Sequence, residues 1–240
     1  MNITKFTKPA RQALSLRHCG AVIVAAGSAS RMEGIDKVMA PLKGDPIIVH
    51  TVRAFQECDA VKEIVIVTRE DLIVPVSDLC HGFDKVRAVV AGGKSRQESV
   101  YLGMNALSEK CRLAAIQDGA RPLVTWQLID RVVRAANSYH AAVPVIPVKD
   151  TIKVCNPGLV VSTPDRKTLR AVQTPQVFDF DLLRGALKKA FEDGAEITDD
   201  CSAVERLGMS VKTVDGDEEN LKVTTPIDLK IAELLLEGRK

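Results

Sequence analysis

No stretch of this 240-residue chain is apolar over the roughly 20 residues that a bilayer-spanning helix needs, so no membrane partner is expected. CxxC pairs are missing too. Cys19, Cys58, Cys80, Cys111, Cys155 and Cys201 are scattered, with no histidine at ligand spacing, so the pattern holds no structural zinc motif. Dispersed cysteines of this kind are typical of reduced proteins, which points to a cytoplasmic location. Net charge is almost absent: 33 bases against 31 acids leave +2, which gives no bulk reason to bind nucleic acid. Acids are absent from the first 32 residues, which carry Lys5, Lys8, Arg11, Arg17 and Arg31. That bias suits a targeting presequence, but the apolar stretch of a secretory signal is lacking. The plainer reading is a basic extension over residues 1–18. No repeat, low-complexity tract or linker interrupts the remainder, so residues 19–240 are expected to form one domain. An apolar content of 46% with 27% charged residues is ordinary for a globular protein with a large core.

What the chain does have is alternation. Strand-like runs of Val, Ile and Ala recur at Ala21–Ala25, Glu63–Thr68, Val86–Ala91, Leu113–Gln117 and Ala141–Ile146. Amphipathic helical stretches lie between them at Pro46–Cys58, Leu72–Leu79, Arg96–Leu107 and Thr125–Ser138, with Pro75 expected to confine the second to its early turns. Continuous apolar strands alternating with helices predict a doubly wound, mostly parallel, Rossmann-like α/β sheet. After Val148 the rhythm breaks. Lys149–Val154 and Leu159–Thr163 flank the turn Asn156-Pro157-Gly158, a projecting β-hairpin with no helix to cover it, which calls for a partner surface. Helical patterns return from Asp179, with a short strand near Val211–Val214 and a last helix opened by Pro226.

Three strand ends carry chemistry, and ligands of such sheets bind beyond the carboxyl ends of the strands. The first strand runs into Ala25-Ala26-Gly27-Ser28-Ala29-Ser30-Arg31-Met32, followed by Lys37. Small residues let main-chain N–H groups approach a phosphate, and two cations suit a triphosphate under attack at its α-phosphorus. The loop is neither a GK[ST] phosphate loop nor a GxGxxG dinucleotide loop, and alone it is equally well a small-residue turn with exposed bases. Gly92-Gly93-Lys94-Ser95-Arg96-Gln97-Glu98-Ser99-Val100 follows the third strand. A capping box accounts for Ser95 and Glu98, but not for Arg96 or the paired glycines. Gln117-Asp118-Gly119-Ala120-Arg121-Pro122 follows the fourth; there a carboxylate beside an arginine either steers a metal or ribose and clamps a phosphate, or is a surface ion pair of little consequence.

Taken in order, AAGSASRM…K, GGKSRQESV, DGARP, DTIK, DRKTLRAVQTPQVF, ITDDCSAVE and NLKVTTPIDL resemble the 2-C-methyl-D-erythritol 4-phosphate cytidylyltransferase family of the non-mevalonate isoprenoid route, over roughly Cys19 to Leu235. The resemblance implies transfer of CMP from CTP to a sugar-alcohol phosphate. It places Ala25, Ala26 and Gly27 against the nucleotide, with Arg31, Lys37 and Lys222 as catalytic cations. Gly93 and Ser99 would face cytosine, and Asp118 and Gly119 would lie where the nucleotide meets the acceptor. Arg121, Thr151, Arg166 and Thr198 would contact the acceptor, Thr151 and Arg166 from an arm at about 149–170 that embraces a second subunit in a homodimer. Thr151 as an ordinary strand residue and Thr198-Asp199 as a helix cap remain open alternatives. Mg²⁺ would be held mainly by the phosphates, with Asp118 as a further ligand. No role falls to His18, His50, His81 or His140.

Two departures matter. Asp36 stands where that family often has proline before the loop lysine, Val38 follows where glutamine is usual, and the Arg31-to-Lys37 interval is about a residue short, which puts Lys37 in question. Gln117 replaces a frequent histidine. Ribitol 5-phosphate cytidylyltransferases share most nucleotide-side motifs and are the rival reading; a non-catalytic nucleotide sensor is the other.

Overall fold

The computed structural model describes residues 15–27 and 36–239; Arg31 lies outside them. β1 (Cys19–Val24) precedes a small ribbon, β2 (Pro41–Leu42) with β3 (Asp45–Pro46), and helix α1 (Ile47–Glu57). Strand and helix then alternate: β4 (Val61–Thr68), α2 (Ile73–Cys80), β5 (Val86–Ala91) and α3 (Arg96–Ala106), followed by β6 (Leu113–Asp118), α4 (Trp126–Tyr139) and β7 (Ala141–Pro147). The hairpin β8 (Val154–Asn156) and β9 (Leu159–Ser162) follows, then β10 (Arg170–Val172) and β11 (Gln176–Asp179). Helices α5 (Phe180–Glu192) and α6 (Asp200–Glu205), strand β12 (Lys212–Asp215) and helix α7 (Pro226–Gly238) complete the order.

Among the described residues, eight strands form one mostly parallel sheet in the order β10-β7-β11-β6-β1-β4-β5, with β12 beside β7. β1 lies parallel between β4 and β6, and all its residues but Val24 are buried. A strand covered on both faces has no polar side to present, hence its unbroken Gly-Ala-Val-Ile-Val run. One face packs on α1, α2 and α4, the other on α3, α5 and α6. In α4 the covering stripe is Leu128, Ile129, Val132, Val133 and Ala136, a helical spacing. Thr125 caps its start by accepting from Leu128 N, and His140 ends it in the left-handed region at φ 68°. Helix α7 closes over a smaller cluster containing Leu42, Ile47, Leu123 and Val223. Among the described residues no helix is long and apolar enough to cross a membrane.

Two local expectations are corrected. Pro75 does not cut α2 short, because it sits at the third helical position, where no i−4 bond is lost, and the helix runs on to Cys80. The sheet also contains two strands that the alternation does not suggest. β10 and β11 run antiparallel along β7 in succession, pairing Arg170 with Pro147 and then Phe178 with Ala141, and β11 wedges between β6 and β7. The break between them, at Gln173 to Pro175, lies at the carboxyl end of β6, where Asp118 N donates to Thr174 Oγ1.

Helix α3 touches the sheet through Gly103. A Cβ there would lie 2.4 Å from Val22 Cγ1 and 2.6 Å from Val67 Cγ2. Gly103→Ala gains about 1 kcal/mol of helix propensity, but overpacking of a close-packed interface costs about 1–3 kcal/mol. The expected net result is a lower Tm in thermal unfolding, and a higher Tm would show that α3 stands off the sheet.

Candidate active site

The carboxyl ends of β1, β5 and β6 open onto a cleft of about 480 Å³. Its walls are Ala25, Ala26 and Gly27 after β1, Gly93 to Arg96 after β5, and Asp118 to Ala120 after β6, with Lys37 and Lys222 entering from elsewhere. Among the described residues, four cationic side chains, Lys37, Lys94, Arg96 and Lys222, face one carboxylate, Asp118. A surplus of that size in a concave site favours a polyanion.

Local chemistry builds each wall. Ala25 N donates to Val67 O at 2.6 Å and Gly119 N to Val24 O at 2.8 Å, which seats the turns against one another. A Cβ on Gly92 would come within 2.4 Å of Ala26 Cβ, so the first glycine of the pair is required for the two loops to touch. Ser95 caps α3 by accepting from Glu98 N. Glu98 does not close the expected box: its Oε2 accepts instead from Lys94 N at 2.7 Å, one residue earlier, which tightens the loop rather than the cap. The Ser99 hydroxyl accepts from Gly93 N at 3.1 Å and donates to Ser95 O at 2.9 Å, so it shapes the glycine loop and keeps one lone pair for a ligand.

Lys37 reaches the cleft despite the short interval before it. Its ammonium lies 4.0 Å from the position a Cβ on Gly27 would take. The anchor is Asp36, which accepts from Val38 N at 3.0 Å and pairs with Arg69 beyond β4. Ile48 N to Val38 O (2.9 Å) and Ile47 N to Ala40 O (3.0 Å) then tie the segment to α1. A carboxylate in place of proline therefore fixes the turn by hydrogen bonds instead of by a ring.

Lys222 is delivered by a clamped loop. Asn220 is fully buried; its Nδ2 donates to Thr174 O at 2.9 Å, and its carbonyl accepts from Arg121 NH1 at 2.7 Å. Val223 N bonds Ala120 O at 2.8 Å. Lys222 Nζ is thereby held 3.0 Å from Asp118 Oδ2, which Arg121 Nε approaches at 3.3 Å, while Arg96 lies 3.8 Å from Oδ1. The Asp118–Arg121 pair is buried, so the surface-pair alternative fails. Burial pushes the Asp118 carboxyl up, but Lys222, Arg121 and Arg96 outweigh it and hold the group below its ordinary range.

A second cavity of about 210 Å³ adjoins the first, lined by Arg121, Gln173, Thr174, Gln176, Thr198 and Asp199. Arg96, Asp118 and Lys222 belong to both cavities. Sequence reasoning left Arg96 without a role. It bridges the cavities because Asp200, wholly buried in the first turn of α6, accepts from its NH2 at 2.7 Å. The acidic pair in ITDDCSAVE was the available signal: Asp199 caps α6 with Ser202, while Asp200 turns inward. Gln176 fixes that helix end, donating to Asp199 Oδ2 (2.9 Å) and accepting from Cys201 N (3.0 Å).

The structure thus brings Ala25, Ala26, Gly27, Lys37, Gly93, Ser99, Asp118, Gly119 and Lys222 to one cleft, and Arg121 and Thr198 to its neighbour. Thr151 and Arg166 line neither cavity of their own chain; both are exposed, Arg166 donating to Lys149 O at 2.6 Å. Among the described residues, no histidine lines either cavity.

Residues 19–238 match the sequence model of the 2-C-methyl-D-erythritol 4-phosphate cytidylyltransferase family. The chain belongs to this family. A member from Caldanaerobacter subterraneus subsp. tengcongensis is 45% identical over 90% of this chain and 97% of its own length. Another, from Symbiobacterium thermophilum, is 46% identical over 90% and 92%. Among solved structures, the 4-diphosphocytidyl-2C-methyl-D-erythritol synthase of Anaerococcus prevotii superposes with a TM-score of 0.85 at 27% identity, covering 95% of this chain and 100% of that one. The 2-C-methyl-D-erythritol 4-phosphate cytidylyltransferase of Thermus thermophilus gives 0.76 at 32% identity, covering 90% and 98%. The doubly wound, mostly parallel Rossmann-like sheet expected from the alternation is the one these neighbours share, in its nucleotidyltransferase form.

Proposed function

We propose that the larger cleft takes CTP and the adjoining cavity takes 2-C-methyl-D-erythritol 4-phosphate, giving 4-diphosphocytidyl-2-C-methyl-D-erythritol and pyrophosphate. The observation that carries this reading is the trio Arg96, Asp118 and Lys222 standing at the wall common to both cavities. Two anionic substrates that must react need cations between them, because each repels the other until that charge is neutralised.

An oxygen of the acceptor phosphate attacks the α-phosphorus of CTP. One P–O bond forms, the bond to the β-phosphate oxygen breaks, and the electron pair leaves on pyrophosphate. The attacking oxygen is already anionic at neutral pH, so no general base is needed. Lys37, beside the small-residue loop, stabilises charge growing on the α-phosphoryl oxygens, with Arg31 assigned the same task. Lys222 and Arg96 position the acceptor phosphate. Arg121, whose Nε and NH1 are taken by Asp118 and Asn220, acts mainly by holding the Lys222 loop. Gly93 and the glycine loop face the base, and Thr198 faces the acceptor.

Asp118 does not fit as a magnesium ligand here, since both its oxygens already face cations. The divalent ion is therefore assigned to the substrate, entering as Mg·CTP on the phosphate oxygens, and no step runs through a protein-held metal.

The arm at about 149–170 fits a dimer contact that brings Thr151 and Arg166 to the neighbour's acceptor cavity. Leu159, Val160 and Val161 are all more than half exposed on it, an apolar strip that calls for a cover. The catalytic unit is assigned to residues 19–238 and placed in the cytoplasm.

The deciding experiment measures pyrophosphate release from Mg·CTP with methylerythritol phosphate and, separately, with ribitol 5-phosphate. Turnover with the first alone is expected. Preference for ribitol phosphate establishes the rival acceptor, and CTP binding without turnover establishes a sensor.

The pH profile follows from the same geometry. Asp118 is held below the ordinary carboxylate range, and no histidine among the described residues lines either cavity, which leaves Asp200 behind Arg96, pushed up by burial, as the protein group to weigh. The acid limb of kcat/KM is expected to report the acceptor's own second phosphate ionisation, at about pH 6, with Asp200 the competing source. An acceptor analogue with a more acidic phosphonate should move that limb downward; a limb that stays put assigns it to the enzyme.

A further inference from the structure

The opposite end of the sheet holds a second cluster that the reaction does not use. His18 lies just before β1, Glu63 near the start of β4, and Cys111 just ahead of β6. One donor atom from each comes within 4.8 Å of the other two. Glu63 Oε1 accepts from Cys111 Sγ at 2.8 Å and from Ser108 N at 2.7 Å, while Arg87 stands 4.0 Å from Oε2. Among the described residues, the buried His18 Nε2 has no hydrogen-bond partner. A buried imidazole nitrogen left unpaired has lost its hydration with nothing in exchange, which a bound ligand would supply.

The backbone around the cluster is fixed before any ligand arrives. His18 O accepts from Arg112 N at 2.8 Å and Leu113 N at 3.1 Å, and Gly20 pairs with Glu63 in the sheet. Cys111 also lines a cavity of about 350 Å³ with Leu107, Ser108, Arg112 and Phe180. Of the three residues only Cys111 lines that cavity, so it opens the cluster to solvent from the thiol side.

We propose that His18, Glu63 and Cys111 form a zinc site, with imidazole, carboxylate and thiolate as three ligands and water as the fourth. The donor set is that of zinc rather than of magnesium or calcium, which take oxygen ligands. Metal–ligand lengths of about 2.0–2.3 Å set tetrahedral donor separations of roughly 3.3–3.8 Å, so the Cys111–Glu63 pair at 2.8 Å opens slightly, while the other separations, all within 4.8 Å, close to fit. The step is an exchange: Zn²⁺ replaces the thiol proton, which leaves to solvent. The ligands come from three separate segments, Cys111 lying 48 positions after Glu63, which is why no short ligand motif betrays them in the sequence. Zinc here would pin the starting ends of β1, β4 and β6 together, at the end of the sheet remote from the cleft.

The test uses chelator-treated full-length protein, without nucleotide, titrated with Co²⁺ and then with Zn²⁺. A thiolate-to-cobalt band in the near ultraviolet, saturating at one equivalent and bleached by Zn²⁺, is expected. His18→Ala and Cys111→Ser should each weaken cobalt binding at least tenfold, while Cys155→Ser, an exposed control, should not. If His18→Ala or Cys111→Ser does not fold, the wild type decides: one equivalent of Zn²⁺ should raise the Tm of the chelator-treated protein. Absence of the band, its persistence in the folded variants, or an unchanged Tm with Zn²⁺ overturns the site.

Discussion

Lys37→Ala is expected to lower kcat by a factor of about 10²–10³ while CTP affinity changes only a few-fold. The two effects separate because they draw on different charges. Attraction for the bound triphosphate is spread over Lys37, Lys94, Arg96 and Lys222, so losing one of them leaves most of it. Stabilisation of charge that appears on the α-phosphoryl group only in the transition state falls to the cation seated over the small-residue loop, and Lys37 stands there beside Gly27. The measurement is kcat from pyrophosphate release at saturating substrates, set against the CTP dissociation constant from calorimetry. If kcat holds while binding falls, Lys37 contributes only uniform binding and its catalytic assignment is wrong.

Asp118→Ala should be the most damaging substitution to the fold of the site. It leaves Lys222, Arg121 and Arg96 facing one another without the carboxylate between them, Arg121 buried and the other two about a third exposed. Breaking a buried charge pair from one side costs about 3–5 kcal/mol, which for a chain of this size is a fall in Tm of roughly 6–20 °C. An added anion should reverse part of the loss, because pyrophosphate in the cleft supplies the missing negative charge, and it should raise the variant's Tm more than that of the wild type. Equal shifts in the two proteins would show that Asp118 does not balance these cations. The sign with pH is fixed by the depressed folded pKa. Stability from ionised Asp118 is fully present above the ordinary aspartate value and is lost as pH falls through the lower folded one. The native protein should therefore keep this contribution throughout the neutral range.

The alternating half of the fold was legible because its period is strong: β1, β4, β5, β6 and β7 are apolar runs, and each connecting helix shows one covered face. Strands β10 and β11 were not, since three or four residues leave too little pattern, and the three residues between them break the alternation further. The cleft was legible at the strand ends, where glycine and charge stand out against an apolar chain. Arg96 and Asp200 escaped because their partnership spans 104 positions and exists only after α6 folds onto α3 and the sheet. Lys37 shows the reverse. Its spacing argued against it, and the compensating device, Asp36 held by Arg69, depends on a contact 33 residues away that no local pattern contains.

With CTP in one cavity and the acceptor in the other, as proposed, the wall the cavities share would also govern how the substrates meet. Arg96 and Lys222 serve both sides, and Asp118 sets how much of their charge either side receives. Whichever anion arrives first changes the field that the second encounters, so the two affinities are not independent quantities. By thermodynamic linkage, the factor by which nucleotide alters acceptor affinity equals the factor by which acceptor alters nucleotide affinity. Three side chains thus make the enzyme's response to one metabolite a function of its supply of the other.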